Sequence, residues 1–135
     1  EITAERVRSA MAERAAQGKR TTNEVLGYDL DGKDSLKINE TEAERVRYIY
    51  DRYIEYRNLS AVAELCALRG YTGKRGRVFK AQHNKTILSR PIYAGYNSFG
   101  GKLYKGNHEP IIDIRIFNRV QQLLKKPRKN AGSTR

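Results

Sequence analysis

Lys80, Gln82, His83, Asn84 and Lys85 fall close together, and their side chains carry the donors and acceptors that match base edges in a DNA major groove. Just before them, Lys74, Arg75 and Arg77 alternate with Gly73 and Gly76. Glycine permits close backbone approach, so this turn can grip phosphates as well as shape a bend. It is not a nucleotide-binding P-loop, because no Gly-x4-Gly-Lys-Ser/Thr string is present. Arg90, Lys102 and Lys105 continue the basic series, and Lys19-Arg20 form an outpost near the start. The plain alternatives are a solvated surface helix and a flexible charged loop.

Other chemistry is poorly provided for. Ser9, Ser35, Ser60, Ser89, Ser98 and Ser133 lack a Gly-x-Ser-x-Gly elbow or an evident base, so no catalytic residue is expected. His83 and His108 lie 25 residues apart without a cysteine partner, so no metal or cofactor is expected either. Cys66 is alone among apolar neighbours, which excludes an internal disulfide and reads as a small buried hydrophobe. Tyr50 and Tyr53 sit on an apolar helix face and read as core, while Tyr93, Tyr96 and Tyr104 read as bracing a hairpin.

Charge decides the class of partner. The 135 residues carry a net charge of +12, but unevenly. Residues 1–64 hold 11 Lys/Arg against 13 Asp/Glu, a balance of −2, and residues 65–135 hold 16 against 2, a balance of +14. From Leu65 to His108 there are nine basic residues and no acid. A single-sign stretch repels itself and is stabilised by a polyanion. Nucleic acid is favoured over an anionic membrane, because the cations are spread over turns, a short helix and a hairpin rather than along one amphipathic helix. No apolar stretch approaches the roughly 18–20 residues that span a bilayer. No signal peptide is visible, and the start Glu1-Ile2-Thr3 reads as a segment of a longer, cytoplasmic protein.

The elements that must position these groups follow from periodicity. Residues 3–17 read as a helix with Thr3 as N-cap, Gly18 as its stop, and a thin apolar face of Val7, Ala10, Met11 and Ala15. Tyr28–Leu30 and Leu36–Ile38 read as a hairpin around Asp31-Gly32. A helix from Asn39 or Thr41 to about Arg57 has the clearest apolar face: Ala43, Val46, Ile49, Tyr50, Tyr53 and Ile54. A third helix, capped by Ser60, runs to Arg69 with Val62, Leu65, Cys66 and Leu68 inward and Gly70 as its stop. Val78 and Phe79 return to the core, and a short fourth helix spans about Lys80 to Ser89. Ile92–Tyr96 and Lys102–Tyr104 read as a second hairpin, and Asp113 caps a fifth helix through Leu124. The result is an α+β, mostly helical fold: a helix-turn-helix-like core over Leu59–Arg90, two short hairpins and an N-terminal connecting helix. In such motifs the second helix enters the major groove.

The order of these pieces resembles the "recombinase" domain of large serine recombinases, the integrases of phages and mobile elements. The matching strings are Gly18-Lys19-Arg20, Leu26-Gly27-Tyr28, Leu36-Lys37-Ile38-Asn39, Val46-Arg47-Tyr48-Ile49-Tyr50, Ser60-x-x-x-Glu64-Leu65 and Gly70. The most specific part is Phe79 followed by Ile87-Leu88-Ser89-Arg90-Pro91-Ile92-Tyr93-Ala94-Gly95, then His108-Glu109-Pro110-Ile111-Ile112 and Phe117-x-x-Val120-Gln121. The chain departs from the family in having Phe79 for a tryptophan, Asn84 for an apolar residue, Arg90 for an asparagine, and Thr21–Val25 for a proline-rich approach. Asn84 therefore stands open between core and DNA.

The resemblance implies a division of the chain. Residues 1–18 would end a connecting helix from a catalytic serine domain, residues 19–125 would form the DNA-binding domain, and residues 126–135 would be a basic tail. The serine domain forms a 5′-phosphoserine link to DNA, and a zinc-ribbon domain follows downstream. The fragment itself would need no cofactor and no catalytic residue. The implied function is sequence-specific binding of double-stranded DNA at a recombination attachment half-site. Lys80, Gln82, His83, Asn84 and Lys85 would contact bases, and Lys74, Arg75, Arg77, Arg90, Lys102 and Lys105 phosphates, with Lys19 and Arg20 towards the minor groove. The parent would be a dimer on each site and a tetramer in synapsis, and the fragment is compatible with a monomer. The competing readings are a winged-helix-like transcriptional regulator, with the second hairpin as wing, and an RNA- or protein-binding adaptor.

Overall fold

The computed structural model describes residues 4–19 and 24–125, with side chains from Ala10 onward. Thr3 as a cap, the Val7 side chain, Arg20 and the tail 126–135 lie outside the described residues. The order is α1 (Ala4–Ala16), β1 (Tyr28–Asp31), β2 (Ser35–Ile38), α2 (Glu40–Tyr56), α3 (Leu59–Leu68), a short 3-10 turn (Lys74–Gly76) and α4 (Ala81–Leu88). A second 3-10 turn (Pro91–Ala94), β3 (Tyr96–Phe99), β4 (Lys102–Lys105) and α5 (Ile114–Lys125) complete it. The expected α+β class with two hairpins is what forms.

The helix ends follow capping chemistry. Asn39 opens α2 by accepting from the Glu42 amide at 3.1 Å. Arg57 then stops α2 in a left-handed conformation, φ 53°. Asn58, not Ser60, caps α3, accepting from the Ala61 amide at 3.0 Å. It occupies the extended position one residue before the first helical turn, which Ser60 is already inside. Gly18 and Gly70 close α1 and α3 with the same pair of bonds: Gly18 N to Ala15 O and Lys19 N to Arg14 O, then Gly70 N to Ala67 O and Tyr71 N to Cys66 O.

Both hairpins are antiparallel, with Tyr28 opposite Ile38 and Tyr96 opposite Lys105. The first turns through residues 32–34, the longer loop that the spacing predicts. The second turns on Gly100 and Gly101 alone, with φ of 61° and 79°. A two-residue hairpin loop of this hand needs positive φ at both positions, and Gly-Gly supplies it without strain. Its first strand lies further along the chain than the pattern suggests, while the second begins at Lys102 as expected. Pro91–Ala94 forms a 3-10 turn, so Tyr93 is not on a strand but buried at the centre of the molecule.

One core joins all layers. It gathers Tyr28 and Leu36 from the first hairpin, Val46, Ile49, Tyr50 and Tyr53 from α2, and Val62 and Cys66 from α3. Ile87, Leu88, Ile92, Tyr93, Phe117 and Val120 complete it from the C-terminal side. Three tyrosines reach across it. Tyr50 donates to Ile87 O at 3.0 Å, Tyr93 to Leu26 O at 2.7 Å, and Tyr28 to Glu109 O. Burial pushes all three hydroxyls far up, so they stay protonated donors. Burial also pushes the Cys66 thiol up to about 11, which suits an inert core side chain.

Leu68 and Val78, expected in the core, are exposed, while Leu65 and Ile54 are half-buried. Leu68 is 83% exposed and Val78 56% exposed. Leu68 sits at the last position of α3, where the chain turns away at Gly70, and Tyr71 and Phe79 carry the following segment back against the core. His108 is buried edge-on against Tyr28, with Nε2 2.8 Å from Ile92 O. Burial lowers its pKa and keeps the ring neutral, so it braces the fold.

Candidate nucleic-acid interface

Helix α4 has a divided surface. Asn84, Ile87 and Leu88 are buried, at the three- and four-residue steps that define one helical face. Gln82, Lys85, Thr86 and Ser89 point to solvent on the opposite face, and Lys80 stands exposed at the N-cap. His83 is half-buried at the border. The inward face is fixed from several sides: the Leu88 carbonyl accepts from Tyr50 Oη at 3.2 Å and from Gln121 Nε2 at 2.6 Å. A helix of only eight residues is marginal by itself, so these tertiary ties position its outward side chains.

Asn84 does not face outward. It is wholly buried, and its Nδ2 donates to Leu59 O at 3.2 Å, tying α4 to the first residue of α3. It leaves the set of base-contacting candidates. Its polar character mimics a surface residue in the sequence, while the apolar residue the family has here and the i, i+3, i+4 grouping with Ile87 and Leu88 both signal burial. Asn84→Ala is expected to cost about 0.5–1.5 kcal/mol of stability by removing the Nδ2 bond that ties α4 to Leu59 O, measured by chemical denaturation. It should leave the ratio of specific to nonspecific DNA affinity unchanged. Conversely, Thr86 and Ser89, which are not among the expected base contacts, share the outward stripe with Gln82 and Lys85.

The glycine-rich turn stands beside α4 and forms a cleft of about 270 Å³ with it. Its lining includes Arg75 and Arg77 from the turn, His83 and Thr86 from α4, and Arg90 and Tyr93 from the segment that follows. The cations here are not alike. Lys74 Nζ lies 2.8 Å from Glu42 Oε1, both side chains being largely shielded at 23% and 19% exposure. The same Glu42 oxygen accepts from Gly27 N at 3.0 Å. Lys74 is thus a structural tie between the turn and α2, which removes it from the free phosphate-binding cations that its sequence setting suggests. Arg75 is exposed and paired with both oxygens of Glu24, at 2.8 and 2.7 Å. Arg75 holds the Glu24 carboxyl below its usual range. Arg77, Lys80 and Lys85 are exposed and have no ion-pair partner among the described residues.

The remaining predicted cations lie elsewhere. Lys102 and Lys105 are exposed on β4, which packs on α1 and does not line the cleft. Lys19 sits at that same corner, its carbonyl accepting from buried Asn97 Nδ2 at 2.9 Å. Asn107 N donates to Gly18 O at 2.8 Å, and Arg14 pairs with Asp34 at 3.1 Å. The end of α1 is therefore held against both hairpins. Among the described residues no group of three or more His, Cys, Asp or Glu side chains is placed to hold a metal ion. No described helix is long and apolar enough to cross a membrane.

A model of the family described as Recombinase matches residues 40–127, the span that contains α2 through α5. The chain belongs to the Recombinase family. Two solved structures share the fold of this recombinase domain. One, described under the sequence requirements of the Listeria innocua prophage attP site, is 30% identical with a TM-score of 0.80, covering 91% of this chain and 52% of that one. The other, the crystal structure of a large serine recombinase (LSR)–DNA complex, is 29% identical with a TM-score of 0.82, covering 96% of this chain and 42% of that one. The recombinase chain thus spans about half the length of these proteins or less. Among curated protein sequences none matches it. The resemblance read from Phe79 and Ile87–Gly95 is confirmed, and family membership weighs against the transcriptional-regulator and adaptor readings.

Proposed function

We propose that this chain binds double-stranded DNA sequence-specifically, at an attachment half-site, as the DNA-binding part of a serine site-specific recombinase. The observation that carries the reading is the divided surface of α4. Its core face is locked by Asn84, Ile87 and Leu88, and its outward stripe is polar, basic and free of acid. Likeness to a large serine recombinase–DNA complex supports the partner. Gln82, Lys85 and Lys80 read or steer on this stripe, with His83 at its edge and Thr86 and Ser89 completing it. Arg77 and Arg90 contact phosphates beside α4. Lys19, Lys102 and Lys105 form a second basic corner, with Arg20 following in the chain, for backbone or minor-groove contact.

In this proposal the strand-breaking serine belongs to a domain upstream of α1, so the 135-residue chain binds DNA without cutting it. Zinc, in the same proposal, belongs to a domain downstream. Dimerisation on a site and tetramerisation in synapsis belong to the complete cytoplasmic protein.

Two variants test the surface against a duplex selected from a randomised library. Gln82→Ala is expected to weaken binding to the selected duplex by about 1–3 kcal/mol with little effect on random DNA. Equal losses on both would remove it from base reading. Arg77→Ala is expected to weaken binding to every duplex and to shallow the slope of log K against log salt by about one. An unchanged slope would remove Arg77 from the backbone contacts.

A further inference from the structure

Arg75 occupies an unusual place. It is a non-glycine residue in the left-handed region, φ 60°, at the centre of the Lys74–Gly76 turn. Backbone strain of this kind persists only where the surroundings over-determine it, and it concentrates at functional positions. The surroundings here do so. Gly73 N donates to Arg77 O at 2.7 Å across the turn, and Lys74 is anchored to Glu42. The Arg75 guanidinium is 71% exposed yet held end-on by Glu24, Nη1 to Oε1 and Nη2 to Oε2. Glu24 is the one carboxylate among the residues lining the cleft.

End-on pairing uses one N–H from each terminal nitrogen. The guanidinium has five, so its Nε edge keeps two parallel N–H groups for a second acceptor pair. Charge decides what that acceptor is. A phosphate brought to this edge would meet a cation already neutralised and would feel the Glu24 carboxylate as a like charge. A base edge is neutral and carries no such penalty. Guanine presents two acceptors, O6 and N7, at the spacing of an arginine fork. The cost of ordering a long side chain is reduced, because the pair already holds it.

We infer that Arg75, positioned by Glu24, contacts a guanine edge and adds base discrimination next to α4, instead of serving as a phosphate contact. This rests on the DNA-binding reading above. Glu24 is a positioning residue, and its carboxylate also discourages indiscriminate backbone binding at this turn. The acids of the N-terminal half then have a use in the interface, setting which of the later cations remain free.

The test measures the affinity of the 135-residue chain for the library-selected duplex, for derivatives with each G·C pair replaced, and for random duplex, at several salt concentrations. Thermal melts of each variant check the fold. Arg75→Ala is expected to lose about tenfold to a hundredfold on the selected duplex and little on random DNA, with the preference at one G·C pair gone. Its salt slope should stay unchanged. Glu24→Gln should weaken selected binding, strengthen random binding, and steepen the random-DNA slope by about one, as Arg75 turns to phosphate. Arg75→Lys should fail to rescue the lost preference, because an ammonium lacks the fork. Equal losses for Arg75→Ala on both duplexes with a slope shallower by one would overturn the inference in favour of a phosphate contact. Unchanged affinities with a lowered melting temperature would overturn it in favour of a purely structural latch. A wild-type chain that prefers no duplex would remove the DNA-reading role itself, a result distinct from a preference that survives Arg75→Ala.

Discussion

Leu88→Ala is expected to lower the unfolding free energy by about 2–5 kcal/mol, the range for truncating a fully buried leucine. Leu88 is completely buried at the last turn of α4, and its own carbonyl receives both Tyr50 Oη and Gln121 Nε2. The substitution removes apolar contact where α2, α4 and α5 meet, so the cavity cannot close without moving one of them. The cost is therefore placed towards the upper part of that range. Function should fall with it. Gln82 and Lys85 project from a helix whose orientation is set by Ile87 and Leu88, so binding to a selected duplex should weaken even where the variant remains folded. Urea denaturation followed by binding at a temperature well below the transition separates the two effects. A variant with wild-type stability would show that α4 is not anchored as described.

Gly27→Ala carries the second large expectation, also about 2–5 kcal/mol, combining a strained left-handed residue with overpacking. Gly27 has φ 99°, and a Cβ there would lie 2.7 Å from Ile111 Cδ1 and 3.3 Å from Val46 Cγ2. Both neighbours belong to the buried core, so the collision is not with a flexible surface chain. The peptide groups of Gly27 are also committed, N to Glu42 Oε1 and O to the Asn39 amide at 2.9 Å. Any shift of Gly27 disturbs Glu42, and Glu42 holds Lys74 and the turn beside α4. The effect on DNA affinity should exceed that of a stability loss elsewhere. Calorimetric melting and a binding titration at matched folded fraction would show it. An alanine variant with an unchanged melting temperature would contradict the close packing at this point.

Much of this architecture is legible in the chain. The face of α2 is readable because Ala43, Val46, Ile49, Tyr50 and Tyr53 are all apolar-bodied and all buried. Both hairpins are readable, but their turns only approximately: Asp31 closes β1 and the first loop is residues 32–34, while Asn97–Phe99 of the expected Asn97–Gly101 connection belong to β3. The errors have physical causes. Leu68 has the periodicity of a core residue but lies where the helix has run past its neighbours. Tyr93 fits a strand pattern, yet Pro91 biases the segment into a tight turn that sends the ring inward. Asn84 looks like surface because polarity is an unreliable guide when a side chain satisfies a buried carbonyl. Lys74 and Arg75 look equally free in sequence. Their partners, Glu42 and Glu24, come from 32 and 51 residues away, and no local pattern encodes such pairings. Local charge marks the candidate interface, and long-range pairing decides which of its cations are available.

The central claim is that the outward face of α4 gives this recombinase domain sequence-specific affinity for duplex DNA. Its most direct measurement is a competition titration of the chain between a library-selected duplex and random duplex at physiological salt, with duplex RNA of the selected sequence as third competitor. The selected DNA is expected to be preferred by about a thousandfold or more, the lower end for specific binding, and Gln82→Ala to erode this preference. Equal affinity for all three nucleic acids, or a preference untouched by substitution on α4, would contradict it.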